Sequence, residues 1–271
     1  MKPGKGSMYV RESGAAGAPT ILFLHGNAAS GNTWDHHLRQ LADFHCLAPD
    51  YPGFGRSNHL EWVSLDDTTD RVIRVIQERL AGDRAHLVGV SLGGSIGINL
   101  LGRASELIDH AIIDGTGVLP FRSTPLLTAG FFLVQPFLKT NFFVNPIARR
   151  LNVPAKDIQR FKEDFRAMTP RAFRRSFYEG MSLKIPPGME RVTCPTLFVA
   201  GSLEFSRFHQ SNLMMSKIMP NAECRAVSGM GHSWLAEAPD LHVRMVRAWI
   251  AGEELPEELS QDCSSGRLLS I

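Results

Sequence analysis

Residues 87–95, LVGVSLGGS, constrain the fold more than any other stretch of the chain. An apolar run stops on Ser91, whose second neighbours Gly89 and Gly93 are both glycine, and the pattern then reads on as a helix. Glycine inside a strand or helix costs roughly 0.5–1 kcal/mol relative to alanine. Two glycines at this spacing are therefore expected where side chains would collide with the adjoining strand and helix. A G-x-S-x-G between a strand and a helix lifts the serine hydroxyl above the end of a sheet. It also sets the next N–H, that of Leu92, at a helix N-terminus, where the dipole favours a developing negative charge. Gly94 and Gly97 continue the run of small residues and predict a helix lying close to the sheet.

The rest of the chain supplies the context that such a turn needs. Short apolar runs alternate with amphipathic stretches, the pattern of a mostly parallel sheet with helices on both faces. Strands are expected at 8–12, 20–25, 45–50, 85–90, 110–114, 195–200 and 223–227, and helices at 33–41, 65–80, 92–104, 206–219 and 239–250. A length of 271 residues suits one large α/β domain, or one domain carrying an insertion. The alternation breaks over residues 118–186. Prolines 125, 136, 146, 154 and 170 punctuate short helical segments there, and ten of the sixteen phenylalanines fall within it. The same stretch holds twelve Lys/Arg against four Asp/Glu. It reads as an inserted helical cap on a core made of 1–117 and 187–251. Most of its phenylalanines are expected to pack, and most of its arginines to form a solvated face. Residues 252–271 are polar and read as a flexible tail.

Composition narrows the function classes. A formal charge of +2 gives no reason to expect nucleic acid, and no window approaches the ~20 apolar residues of a membrane span. The basic start MKPGKGSMYVRESG lacks an apolar h-region, so no secretory signal is read and a cytoplasmic location is expected. Cys46, Cys194, Cys224 and Cys263 form no CxxC pair and are expected to be free thiols. His36 and His37 are adjacent and point apart, so neither a metal site nor a cofactor is expected. The expected partner is a small-molecule ester or related acyl substrate.

Three further segments accompany the serine turn. Leu24-His25-Gly26-Asn27-Ala28 follows an early strand, and its glycine lets the next N–H groups face the site, with that of Asn27 the candidate second oxyanion donor beside Leu92. A turn-rich Asp50–Ser57, DYPGFGRS, follows another strand. Late in the chain, Gly229-Met230-Gly231-His232 places a histidine on the loop after the last strand.

Together, HGN, DYPGFGRS, GVSLGGS and GMGHSWLAEAP, in that order, resemble the α/β-hydrolase superfamily, in its cap-bearing group with an H-G-x oxyanion loop. The resemblance reaches from the first strand to Ile250. It implies the α/β-hydrolase fold, with Ser91 as nucleophile, His232 as base and an acid that orients the base. Family members often carry G-x-x-D after the strand that precedes the histidine; this chain has Gly201-Ser202-Leu203-Glu204. Glu204 is the first candidate acid and Asp114, in IIDGTG, the alternative. Glu237 and Asp240 suit the start of the last helix.

A serine, an imidazole base and two N–H donors are equipped for acyl transfer. The expected activity is a carboxylesterase acting on small to medium apolar acyl groups. Two alternatives stand beside it. One is a carbon–carbon bond hydrolase or hydroxynitrile-lyase-like enzyme, although Val90 stands where such hydrolases often carry asparagine. The other is a ligand-binding or signalling protein on the same fold, with incidental hydrolysis. Asn27 also matches a halide-contacting position of haloalkane dehalogenases, but those need an aspartate where this chain has Ser91.

Overall fold

The computed structural model describes residues 6–15, 17–80, 82–120, 130, 139–150, 153–261 and 263. Its strands are β1 (Val10–Ser13), β2 (Thr20–Leu24), β3 (His45–Pro49), β4 (Ala85–Val90), β5 (Ile108–Asp114), β6 (Thr196–Gly201), β7 (Ala222–Val227) and β8 (Leu259–Ser260). They form one sheet in the order β1-β3-β2-β4-β5-β6-β7-β8. Strands β2 to β7 run parallel, with β1 and β8 antiparallel at the two edges. The chain is an α/β protein, as the alternation of apolar and amphipathic segments requires.

Central strands are buried on both faces, which is why they read as continuous apolar runs. Side chains still alternate. Leu22 and Leu24 enter the core on one side of β2, while Ile21 and Phe23 enter the core on the other. The first core lies under α2 (Leu65–Arg79) and α3 (Leu92–Ala104), through Val72, Ile76, Ile96 and Leu100. The second lies under α1 (Asp35–Gln40) and the C-terminal helix (Pro239–Ala251), through Leu38, Met245 and Val246. The expected helix 33–41 is divided: a 3-10 turn, Gly31–Trp34, capped by the Ser30 side chain, precedes α1.

Strand β5 begins two residues before its expected start, and the extra length contains a bulge. Ala85 pairs with Ile108 but Leu87 pairs with Ala111, so Asp109 and His110 together oppose His86.

The segment between β5 and β6 carries α4 (Asn141–Arg150), α5 (Ile158–Ala167) and α6 (Pro170–Met181). Residues 121–129, 131–138 and 151–152 of the expected cap, with Phe121, Phe131, Phe132, Phe137, Pro125 and Pro136, lie outside the described residues. Polar contacts tie this segment to the sheet side. Glu179 accepts from the Leu65 N–H at 2.6 Å and from Trp62 Nε1 at 3.1 Å. Asp164 accepts from Ser30 Oγ at 2.8 Å and Asn32 Nδ2 at 3.2 Å. Several of its arginines are held in ion pairs with Asp35 and Glu61. Phe165 and Phe173 are buried, whereas Phe142 is exposed.

The C-terminal region departs from expectation. Part of the tail read as loose supplies β8, which pairs with β7 through Leu259 and Val227. Cys224 of β7 and Cys263 are joined in a disulfide, where four free thiols were expected; Cys46 and Cys194 are free and buried. Spacing could not show the pairing, because 39 residues separate the two cysteines and only β8 brings them together.

Candidate active site

Ser91 stands between β4 and α3 at φ 54°, ψ −115°, a left-handed conformation rare for any residue with a side chain. Strain of this kind costs about 1–3 kcal/mol and persists only where the surroundings enforce it. Here the Ser91 N–H donates to the Asp114 carbonyl at 2.8 Å, and the Ser91 carbonyl accepts from the Ser95 N–H at 3.0 Å. The flanking glycines have steric causes. A Cβ on Gly89 would meet the Gly93 carbonyl oxygen at 2.5 Å, and one on Gly93 would collide with the Leu24 carbonyl. Behind them, a Cβ on Gly97 would lie 2.8 Å from Ile113 Cδ1, so α3 rests directly on the sheet.

Glu204 and His232 arrive on the loops after β6 and β7. The two loops are bonded to each other: Leu203 N–H donates to the Met230 carbonyl at 2.9 Å, and Gly229 N–H to Ser202 Oγ at 2.9 Å. One oxygen of the buried Glu204 carboxylate accepts from the Gly201 N–H at 2.9 Å; the other lies 2.6 Å from His232 Nδ1. His232 Nε2 then lies 3.1 Å from Ser91 Oγ. The three side chains named from the sequence thus form one continuous hydrogen-bonded line.

The His232 ring opens onto a cavity yet lies below the molecular surface, with a side-chain exposure of 34%. Burial disfavours its charged form, but the Glu204 charge and hydrogen bond, with a contribution from Asp114, outweigh that and hold its pKa above the ordinary value. Gly115 is part of this geometry and was not singled out in the sequence. It has φ +57°, and a Cβ there would stand 3.1 Å from the His232 ring and 3.4 Å from Glu204 Oε2. Phe208 packs beside the same imidazole, with ring centroids 6.0 Å apart. The G-T-G after Asp114 was the only sequence signal for the first, and none existed for the second.

Asp114, the alternative acid, makes no hydrogen bond to His232. Its Oδ1 accepts from Trp234 Nε1 at 3.1 Å, and its Oδ2 lies 3.7 Å from His242 Nε2. His242 Nδ1 in turn meets His37 Nε2 at 2.9 Å. Burial pushes the Asp114 carboxyl pKa up, and burial pushes the His37 imidazole well down. Asp240 sits in the first turn of the C-terminal helix, as expected, and meets His36 Nε2 at 2.8 Å; Glu237 ends the short helix Trp234–Glu237 before it.

The loop after β2 flanks Ser91. A Cβ on Gly26 would approach Ser91 Cβ to 3.5 Å, and Ala28 takes a left-handed φ of 59° while its N–H donates to Asn27 Oδ1 at 2.9 Å. His25 is a buttress: it stacks on Tyr51 at 3.9 Å, and burial lowers its pKa to about 4, so it stays neutral. The carboxylate of Asp50 accepts from the N–H groups of Gly31 and Arg56, each at 2.7 Å, which accounts for the conformation of DYPGFGRS.

Gly26, Asn27, Leu92, Ser91 and His232 all line a cavity of about 710 Å³. Across from them, α5 and α6 contribute Phe161, Phe165, Phe173, Phe177 and Met181. The Nδ2 of Asn27 donates to the Phe173 carbonyl at 3.4 Å, joining the loop to α6. The cavity walls hold no cluster of metal-ligating side chains among the described residues. No helix among them is long and apolar enough to cross a membrane.

Comparison with known proteins agrees with this geometry at the level of the fold. The description of the alpha/beta hydrolase family matches residues 21–244. A protein of Gibberella zeae named as an AB hydrolase superfamily protein is 26% identical over 249 residues, spanning 89% of this chain and 83% of that one. A 2-hydroxy-6-oxononadienedioate/2-hydroxy-6-oxononatrienedioate hydrolase of Paraburkholderia phymatum is 28% identical over 156 residues, which are 55% of this chain and 54% of that protein. Among solved structures, a hydrolase from Pseudomonas aeruginosa PA01 superposes with a TM-score of 0.77 at 19% identity, covering 92% of this chain and 97% of its own.

Proposed function

The chain belongs to the alpha/beta hydrolase family, and from that premise we propose that it is a serine hydrolase that cleaves carboxylic esters through an acyl-enzyme. The observation that carries this reading is the line from Glu204 through His232 to Ser91, with contacts of 2.6 and 3.1 Å. Glu204 holds the tautomer of His232 whose Nε2 accepts the Ser91 proton, and stabilises the imidazolium that results. Ser91 Oγ attacks the ester carbonyl, and the N–H groups of Leu92 and Asn27 receive the oxyanion. His232 then protonates the departing alcohol, and water repeats the sequence in reverse to release the acid. Loss of one oxyanion donor typically costs ~10²–10³ in turnover.

The cavity wall supports a reading of the substrate class. Phenylalanines and a methionine from α5 and α6 face Ser91, favouring small to medium apolar acyl groups, and the inserted helices act as the cap. A second reading rests on Lys156, which lines the same cavity and would suit a carboxylate-bearing substrate of a carbon–carbon bond hydrolase.

Fluorophosphonate labelling with peptide mapping tests the proposal. Ser91 is expected to take the label, and Ser91→Ala to lose both labelling and nitrophenyl-ester turnover while retaining the wild-type melting temperature. Turnover surviving in that variant overturns the assignment. Cleavage of a dienoate ring-fission product well above ester hydrolysis moves it to the second reading.

A further inference from the structure

At the end of the sheet remote from Ser91, the β4–β5 bulge assembles three side chains that no sequence spacing would group. Asp109 and His110 are consecutive and in a regular strand would point to opposite faces. Because both oppose His86, they stand on the same side as it. We propose that His86, Asp109 and His110 form a binding site for a single divalent transition cation, of which Zn²⁺ is the best match, with solvent completing the coordination.

Donor spacing supports this. Tetrahedral Zn²⁺ with bonds of about 2.0–2.1 Å sets its ligand atoms about 3.4 Å apart. Asp109 Oδ2 lies 3.6 Å from His86 Nδ1 and 3.2 Å from His110 Nδ1, and the three donors lie within 4.8 Å of one another. The His110 side chain is partly exposed, at 22%, so the group is open to solvent.

A second, independent observation comes from His86. Its side chain is only 10% exposed, and its Nδ1 is buried with no hydrogen-bond partner. A buried donor or acceptor left unmade costs about 1–3 kcal/mol, and this nitrogen lies within 4.8 Å of both other donors. Two imidazoles and one carboxylate suit Zn²⁺, Co²⁺ or Ni²⁺ rather than Mg²⁺ or Ca²⁺. Nearly the whole of β4, about 16 Å at ~3.3 Å per residue, separates the bulge from Ser91, so the site is independent of the hydrolase chemistry.

The test is calorimetric titration of the EDTA-stripped full chain with Zn²⁺, alongside Asp109→Asn and His110→Ala. Both substitutions fall at partly exposed positions, and metal-free melting temperatures check that each variant is folded. The expected result is one Zn²⁺ per chain, weakened at least tenfold in each variant, with His36→Ala and His59→Ala unchanged. Co²⁺ in place of Zn²⁺ should give a visible d–d band that His110→Ala abolishes. Binding equally tight in the Asp109 and His110 variants, or lost instead in the His36 or His59 variants, overturns the proposal. So does the absence of stoichiometric binding by the wild-type chain.

Discussion

Two imidazole–carboxylate pairs lie at the same end of the parallel strands, and they differ in every respect that matters for chemistry. Glu204 and His232 are 2.6 Å apart, and the second nitrogen of that ring meets Ser91 in the cavity. Asp114 and His242 are 3.7 Å apart and sealed from solvent, and the second nitrogen of that ring meets His37. Either carboxylate satisfies a sequence rule for the acid of such a site. What separates them is Trp234, whose indole N–H occupies Asp114 Oδ1, and Gly115, whose missing side chain leaves His232 free to turn toward Glu204. In the proposed mechanism the choice of acid is therefore a matter of which ring a carboxylate can reach, not of its residue type.

The sharpest way to break this comparison is to neutralise each acid in turn. Glu204→Gln is expected to reduce kcat by ~10³–10⁴, the scale of losing the orienting carboxylate in a serine–histidine–acid site. Asp114→Asn should cost less than about tenfold by the same measure. Comparable losses in steady-state ester hydrolysis would show that the two pairs act as one unit. The pH profile carries the same contrast. In the proposed mechanism His232 must be neutral to take the serine proton, and its pKa lies above the ordinary imidazole value, so kcat/KM should fall on the acid side with a midpoint above about 6.5. In Glu204→Gln the main charge and hydrogen bond that raise it are gone, and the residual activity should lose its acid limb at lower pH. A wild-type midpoint at or below that of free imidazole would contradict the geometry.

A third buried carboxylate separates the cost of burial from its use. Asp164 bridges α5 to Ser30 and Asn32, and burial, partly offset by those hydrogen bonds, raises its pKa from 3.8 to about 6. A raised acid binds its proton more tightly in the folded than in the unfolded chain between these two values. Stability therefore falls as pH climbs from about 4 to about 6 and stays reduced above it. Asn at this position keeps an oxygen to accept both bonds and carries no charge. Asp164→Asn should thus raise unfolding free energy by about 1–3 kcal/mol at pH 7, with the gain vanishing near pH 4 in denaturant titrations. A loss at pH 7 would mean that the charge itself holds α5 in place.

How much of this was legible in the sequence varies with how local the cause is. The turn at Ser91 was readable because Gly89 answers to the helix that follows its own strand, although the partner of Gly93, the Leu24 carbonyl on β2, shows only in the fold. The fold was readable because buried parallel strands must be continuous apolar runs. His232 and Glu204 could be named from their loops, but Glu204 could not be separated from Asp114, since one carboxylate ends β5 and the other follows the end of its neighbour β6, and only Trp234 and Gly115 divide them. Gly115, the His37–His242 contact, the β4–β5 bulge and the Cys224–Cys263 link join residues far apart in the chain or depend on register. No periodicity reports these.

The smallest expected effect is also the most discriminating, because it asks whether Asp114 matters to the site at all without touching it. Its carboxylate field helps to raise the His232 pKa, after the larger contribution of Glu204. In Asp114→Asn the amide oxygen can keep the Trp234 bond, so the backbone carbonyl that holds the Ser91 N–H should not move. Removing the charge should then shift the acid limb of kcat/KM downward, by less than Glu204→Gln does. Unfolding free energy at neutral pH should rise, since burial already disfavours this carboxyl in its charged form. A limb that stays in place while stability rises would mean that the buried pair is electrostatically silent at Ser91. A fall in both would mean that the Asp114 charge, though far from the reacting atoms in bonding terms, is held against His242 as part of the framework that positions the nucleophile.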